Sequence, residues 1–166
     1  MTEGSAQKPS PRPRALATAA DIMQPTLTTV EPNDHVAAAA YLMHQAGATA
    51  LVVVDDQKAK QPIGLITEAD IVQPVAADRE LHDLKIRALM TTSLVVITPD
   101  TSLREAAEAM VARHFRHLPV VSGSRLVDMA GISEICEAML GIPSDDPSTT
   151  DRKHVNEYPP VVARRR

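Results

Sequence analysis

The sequence predicts a layered α/β fold built from two tandem β-α-β-β-α units, and three observations predict it. The first is a duplication, because the pair Ile22-Met23 recurs as Leu89-Met90, 67 positions later. The second is that strand-like and helix-like runs alternate in the same order in both copies, which is typical of layered α/β folds. The third is an aliphatic composition, since 44% of the residues are hydrophobic but only one is Phe and none is Trp.

The duplication extends through matched apolar positions at the same spacing. Leu27, Val30, Pro32, Val36, Ala39 and Met43 recur as Leu94, Ile97, Pro99, Leu103, Ala106 and Met110. Residues 63–71 recur as 127–135, only 64 apart, because the second copy lacks three loop residues. Two copies are too few for a solenoid. We therefore expect two small repeats that bury a face against each other as one pseudo-twofold module.

Each copy predicts the same elements in order. A short strand (27–30; 95–97) is followed by a helix whose apolar residues have i, i+3, i+4, i+7 spacing. Ser102 and Glu105 match a capping box at the start of that helix in the second copy. A buried Val-rich strand (50–54; 118–121) and a further strand (63–66; 126–130) come next. A second helix is predicted to begin near Thr67 and Ile132.

The ends of the chain differ in composition from the two copies. Residues 1–15 are rich in proline and polar residues and are predicted to be disordered. The first repeat is assigned to 16–78, the second to 79–141, and a polar tail to 142–166. The tail ends in three arginines, which indicate either a solvated basic end or contact with nucleic acid.

Composition argues against several functional classes. The net charge is −4 and no basic stripe occurs in the two copies, so nucleic acid is not the expected partner. Cys136 is the single cysteine, which excludes an internal disulfide and fits a reducing cytoplasm. No apolar run approaches the roughly 20 residues of a membrane span, and the N-terminus does not read as a secretory signal.

Two longer motifs, taken together with the duplication, resemble those of a known protein family. The runs RHLPVV (116–121) and IGLITEADI (63–71), together with the opening Ile-Met pair, resemble a pair of cystathionine-β-synthase (CBS) domains over about residues 16–140. The resemblance implies two repeats packed through their sheets, commonly as a homodimer. It also implies clefts between the repeats that bind AMP, ADP, ATP or S-adenosylmethionine.

The turn at 64–70 carries the first candidate site residues. Gly64 would let a ligand approach the backbone, and Thr67 would stand at a helix N-terminus, where free N–H groups favour a phosphate. Asp70 could accept hydrogen bonds from a ribose diol. The same Thr-x-x-Asp spacing is also a capping box that needs no ligand. Both roles can coexist.

The matching turn of the second copy departs from this pattern. Asp128 replaces the glycine, Gly131 replaces the threonine, and Glu134 replaces the aspartate. A carboxylate 4 Å from a phosphate would cost about 4 kcal/mol at an effective dielectric of about 20. We therefore expect no nucleotide to be held by this turn.

The basic residues show the opposite asymmetry. The second copy has His-Phe-Arg-His at 114–117, where the first copy has the uncharged Gly-Ala-Thr-Ala at 47–50. The resemblance implies that Arg116 and His117 reach a phosphate held by the turn of the other repeat, a role that suits the donor fork of arginine. Together these assignments imply one composite site, formed by Thr67, Asp70, Arg116 and His117. The alternative is a solvated strand edge, or an ion pair with a partner chain.

An apolar slot for adenine is assigned by the same resemblance to the first strand. The candidates are Leu27, Thr28, Val30 and Ile66. The alternative is that these residues are simply core.

Other constellations are weaker. The pair His114 and His117 could ligate a metal, but no CxxC or HExxH motif accompanies it, so no metal and no cofactor are expected. Cys136 stands at an apolar helical position and is predicted to be an inert core thiol. The methionines are interpreted as core or interface residues.

No nucleophile–base pair is evident, so the sequence does not predict an enzyme. It predicts a regulatory CBS pair that binds an adenine nucleotide and signals to a protein partner. The alternative is a ligand-free dimerisation or protein-interaction scaffold.

Overall fold

The computed structural model describes residues 17–23, 27–55, 58 and 60–142. The predicted tails, apart from Ile142, lie outside these residues, and so do the terminal arginines. The first repeat begins with a 3₁₀ turn (Ala19–Asp21). It continues with β1 (Thr29–Val30), α1 (Val36–Ala46), β2 (Ala50–Asp55), β3 (Gln61–Thr67) and α2 (Glu68–Ala76).

The second repeat follows the same order. A 3₁₀ turn (Ile86–Ala88) precedes α3 (Leu103–Arg113), β4 (His117–Ser122), β5 (Arg125–Gly131) and α4 (Ile132–Leu140). The predicted α/β fold of two tandem β-α-β-β-α repeats is confirmed in outline.

The strand registers match between the repeats. In the first sheet β1 runs parallel to β2, and β2 runs antiparallel to β3, with Val53 opposite Gly64. In the second sheet β4 runs antiparallel to β5, with Val120 opposite Asp128. Both hairpins carry a register shift directly after these pairs. The sequence alignment of Gly64 with Asp128 is therefore also the structural one.

The strand predicted at 95–97 is reduced to a single parallel bridge between Ile97 and Val120. The reason lies in β4, where Pro119 occupies the position of Val52 in β2. Proline has no N–H to donate, so the ladder cannot extend further toward Val95. The equivalent β1 pairs with β2 at both Thr29 and Val30.

The first helix of each repeat packs into a separate aliphatic core. One cluster gathers Val36, Met43 and Ile66, and the other gathers Leu103, Met110 and Ile135. A third cluster, centred on Val52, Val54 and Leu126, joins the two sheets, with Leu65 and Met129 packed against it. The module is thus held together through its sheets.

One predicted core residue is at the surface. The apolar helical position of Cys136 predicts a buried thiol, but Cys136 is exposed. Met139, which the sequence assigns to the core or an interface, is 46% exposed. Successive residues of an α-helix are about 100° apart. Because Ile135 faces the core with no exposed surface, the next side chain, Cys136, points away from it.

The sequence did not predict that the opening segment of each repeat, which precedes its first strand, packs into the core of the other repeat. We call this arrangement the exchange of the opening segments. Ala19 has no exposed surface and belongs to the core of the second repeat, while Ile86 belongs to that of the first. Ala19 N–H donates to the Thr101 carbonyl at 2.8 Å, and Ile86 N–H donates to the Asp34 carbonyl at 3.0 Å. These are equivalent bonds 67 residues apart, so each repeat completes the core of the other.

Candidate functional site

A cleft of about 410 Å³ lies where the two repeats meet. The first repeat contributes the residue before β2, the end of β3 and the first turn of α2. The second contributes its opening segment and the residues before and at the start of β4. The lining residues are Thr49, Leu65, Thr67, Glu68, Ala69, Thr91, Ser93, Leu94, Val95, His114, Phe115, Arg116 and His117.

The opening segment of the second repeat reaches the cleft by pairing with β3. Leu65 and Thr91 form an antiparallel bridge, with N–H to carbonyl distances of 2.9 and 2.8 Å. Gly64 is buried beneath this segment, and a Cβ there would lie 2.9 Å from Met90 Sδ and 3.1 Å from the Thr91 carbonyl oxygen. The close approach that Gly64 allows in this structure is therefore to the chain itself.

Thr67 and Asp70 form the capping box that their spacing predicts. Asp70 Oδ2 accepts from the Thr67 backbone N–H at 2.8 Å and from the Thr67 hydroxyl at 2.7 Å. The Asp70 N–H donates to Thr67 Oγ1 at 3.4 Å. Since the one hydroxyl proton of Thr67 is directed to Asp70, Thr67 Oγ1 faces a ligand only as an acceptor. Thr67 lines the cleft, and Asp70 lies behind it.

The N-terminus of α2 has few free donors. Glu68 N–H donates to the Thr49 carbonyl at 3.0 Å, which ties the helix to β2. Among the described residues, none accepts a hydrogen bond from the N–H of Ala69, which lines the cleft. One backbone N–H therefore remains here for an anion.

His117 bridges the repeats. Its Nε2 lies 3.0 Å from Thr49 Oγ1, and which atom donates depends on the imidazole tautomer. Burial lowers the pKa of His117, and Arg116 lowers it further, while Glu134 and Glu68 oppose the shift. Because burial is the largest of these effects, the neutral imidazole is favoured.

Arg116 is exposed on the wall of the cleft. Its carbonyl accepts from Ile132 N–H at 2.9 Å, which fixes its backbone against α4. Within the described part of the chain its guanidinium forms no salt bridge. It is therefore available to a ligand in the cleft.

The residues predicted to form an adenine slot do not line this cleft. Val30 and Ile66 are 3% and 0% exposed in the first core, and neither they nor Leu27 and Thr28 line the cleft. The apolar wall consists instead of Leu65 with Leu94 and Val95, which are the second-copy equivalents of Leu27 and Thr28. The exchanged opening segment is the cause, because it brings this stretch of the second repeat onto β3. The 67-residue spacing relates these positions to Leu27 and Thr28, but it does not show that the segment crosses to the other repeat.

Comparison with known proteins decides the family. The family model for the CBS domain matches twice, at residues 19–76 and 86–141. The chain belongs to the CBS-domain family. It carries the domain as a tandem pair, in agreement with the exchanged, pseudo-symmetric repeats described above.

Relatives of this CBS pair are found among both sequences and structures. It is 34% identical to a 17.7 kDa protein of Acidianus ambivalens over 68% of this chain and 67% of the other. It is 29% identical to the CBS domain-containing protein YhcV of Bacillus subtilis, over 82% of this chain and 95% of the other.

Solved structures with the same fold include two CBS-domain proteins. A CBS-domain protein from Burkholderia ambifaria MC40-6 superposes with a TM-score of 0.69 at 28% identity, covering 78% of this chain and 98% of the other. CBSX2, solved in complex with AMP, superposes with a TM-score of 0.62 at 27% identity, covering 76% and 98%.

The second turn of the CBS pair differs as its sequence suggests. Gly131 offers no side-chain cap to α4, and the Glu134 carboxylate folds back over it. Asp128 is 6% exposed, so its carboxylate lies within the module rather than at an open cleft. The two turns are equivalent in backbone but not in chemistry.

Within residues 17–23, 27–55, 58 and 60–142, no three His, Cys, Asp or Glu side chains are grouped so as to hold a metal ion. In the same residues, no helix has the length and apolar character needed to cross a membrane.

Proposed function

We propose that this CBS pair is a regulatory module that binds an adenine nucleotide in the inter-repeat cleft. One observation carries the proposal: Thr67 of the first repeat and Arg116 with His117 of the second line the same cleft. Its volume of about 410 Å³ is within the usual range for small-molecule sites. AMP is the first candidate, and ADP, ATP and S-adenosylmethionine are alternatives from the family resemblance.

The chemistry of the walls suggests an orientation for the ligand. Leu65, Leu94 and Val95 offer an apolar surface for adenine. Thr67 Oγ1 and the Glu68 carboxylate are acceptors suited to ribose hydroxyls, with Asp70 behind them. The Arg116 guanidinium and the Ala69 N–H are donors suited to a phosphate.

Signalling would follow from the position of the ligand between the repeats. A nucleotide that contacts both repeats favours the relative packing that fits it best. A protein partner with different affinities for the two packings would then respond to occupancy, and would in turn alter nucleotide affinity by the same factor. The module needs no catalytic group for this, and we propose that it is not an enzyme.

A homodimer is part of the proposal. Val72 and Val75 on α2 are 62% and 55% exposed, and Met139 and Leu140 on α4 are 46% and 67% exposed. Val75 and Met139 are equivalent positions of the two repeats. A pseudo-symmetric pair of apolar helix faces suits a second copy of the same chain, because a twofold interface uses one surface twice.

We also propose a cytoplasmic location and the repeat boundaries assigned from the sequence. The single cysteine is consistent with a reducing compartment. The net charge of −4 does not favour nucleic acid as a partner.

A thermal-shift titration with AMP, ADP, ATP and S-adenosylmethionine tests binding. The wild-type chain should be stabilised by at least one ligand, since a ligand at 100 times its Kd stabilises by about 2.7 kcal/mol. The shift should be lost in Arg116→Ala and Asp70→Ala. Glu105→Ala is the matched control for Asp70, because it removes the equivalent carboxylate of the Ser102–Glu105 capping box, which does not line the cleft. No shift with any ligand at millimolar concentration would overturn the proposal.

A ligand-free scaffold is the second candidate, and one observation favours it. Thr67 and Asp70 form a complete capping box with each other, so their presence does not require a ligand. On this account Asp70→Ala and Glu105→Ala would both lower stability, and no nucleotide would change the melting temperature of any variant.

A further inference from the structure

The backbone of His114 has a conformation that suits glycine. His114 ends α3 with φ 57° and ψ 31°, in the left-handed region. The equivalent residue of the first repeat, 67 positions earlier, is Gly47 with φ 62° and ψ 26°, and it ends α1 in the same way. A residue with a Cβ is strained in this region, although histidine tolerates it better than most.

The C-terminal cap of α3 does not require the imidazole of His114. The backbone N–H of His114 makes the capping contacts to the carbonyls of Met110 and Val111, as a glycine would. Arg113 already supplies a basic group to the last turn. Among the described residues, no side chain or backbone group hydrogen-bonds the His114 ring.

The ring does have a place in the cleft. His114 is exposed and lines the cleft with Phe115, Arg116 and His117, whereas Gly47 does not line it. The strained residue is thus in the repeat that supplies the basic wall, and the unstrained glycine is in the repeat that does not.

We propose that His114 is a specificity-determining residue that donates a ring N–H to the phosphate of the bound nucleotide. This proposal rests on the function proposed above. It adds a third basic residue beside Arg116 and His117, and it accounts for an imidazole where the fold favours glycine. His114 would then contribute to recognition of the phosphate and not to recognition of the nucleoside.

His114→Gly tests the proposal because strain and binding should change in opposite directions. Without ligand, the melting temperature should rise by about 2–4 °C as the strain is relieved. Calorimetric titration should show a Kd for AMP at least about tenfold higher, the scale of a hydrogen bond to a charged group. The Kd for adenosine, which has no phosphate, should not change. Gly47→His is the matched control, and it should lower the melting temperature while AMP affinity stays unchanged.

The outcomes distinguish the proposed role of His114 from the proposed nucleotide site on which it rests. If His114→Gly binds AMP like the wild type while Arg116→Ala does not, the role of His114 is wrong and the nucleotide site stands. Equal weakening of AMP and adenosine would indicate a displaced cleft wall and would also overturn the role of His114. If the wild-type chain binds neither probe, the nucleotide site itself is overturned.

Discussion

Thr49 Oγ1 and His117 Nε2 lie 3.0 Å apart and form a side-chain hydrogen bond that joins the two repeats beside the cleft. Thr49 precedes β2 of the first repeat, and His117 begins β4 of the second. Both residues also line the cleft. A ligand that displaced either side chain would therefore change a contact between the repeats, which gives occupancy a direct route to their relative packing.

Thr49→Val should weaken the module by removing this bond. We expect the free energy of unfolding to fall by about 0.5–1 kcal/mol, the scale of a single hydrogen bond at an exposed position. Urea unfolding measures it. Thr92→Val is a suitable control, because Thr92 is exposed and its side chain makes no hydrogen bond with the described residues. Equal stability of the two variants would show that the bond contributes nothing.

Acidification should destabilise the chain through His117. Its pKa is lowered from the ordinary value of 6.5, chiefly by burial, with Arg116 adding to the effect and Glu134 and Glu68 opposing it. The unfolded chain therefore binds more protons between the two pKa values, and stability falls as the pH falls from 6.5 through the lowered pKa. Well above pH 6.5 the imidazole is neutral in both the folded and the unfolded chain, so His117 adds nothing to the pH dependence of stability there.

The urea midpoint of the wild type and of His117→Asn, measured at pH 7.5, 6.5 and 5.5, checks this sign. Asparagine does not titrate, so the variant should lose less stability than the wild type between pH 6.5 and 5.5. Parallel losses in the two proteins would refute the assignment to His117.

The exchanged opening segments should couple the two repeats in stability. Ile86 belongs to the segment that opens the second repeat but fills the core of the first. Ile86→Ala should cost about 2–4 kcal/mol through the cavity it leaves. Native-state hydrogen exchange should show the loss at the amides of β2 and β3, in the other repeat. Val96→Ala, at a 44% exposed position, should cost less than about 0.5 kcal/mol. Loss of protection confined to residues 86–142 would contradict the exchange.

The apolar faces of α2 and α4 should mediate self-association. Val75→Glu combined with Met139→Glu should raise the dimer dissociation constant at least tenfold, because a charge would be buried on both helices. Light scattering during size-exclusion chromatography measures this. Val111→Glu is the control, since Val111 is 72% exposed but lies on α3. If both variants have the same mass as the wild type at all concentrations, the proposed interface is wrong.

The fold could be predicted because its signals are local and occur twice. The helical spacing from Val36 to Met43 and the apolar run at 50–54 each specify an element without knowledge of the rest of the chain. The capping boxes at Thr67 and Ser102 were predicted from spacing, and both are present. The prediction of a strand at 95–97 was wrong because Pro119, a residue distant in sequence, lacks the N–H that would extend the ladder.

The candidate site could be predicted only in part, because it depends on which segments of the two repeats come together at the cleft. Thr67, Arg116 and His117 do line one cleft. Leu94 and Val95 were missed, since the opening segment of the second repeat crosses to the first, and periodicity alone does not reveal such an exchange. The strain at His114 was also invisible, because a sequence does not show φ.

The stoichiometry and Kd of AMP binding, measured by isothermal titration calorimetry, test the central claim most directly. One AMP should bind per chain, since the second turn has Asp128, Gly131 and Glu134 in place of Gly64, Thr67 and Asp70. Arg116→Ala and Asp70→Ala, one in each repeat, should each raise the Kd at least tenfold, whereas Glu105→Ala should leave it unchanged. Two AMP molecules per chain, or a Kd that neither cleft variant alters, would contradict a single site shared between the repeats.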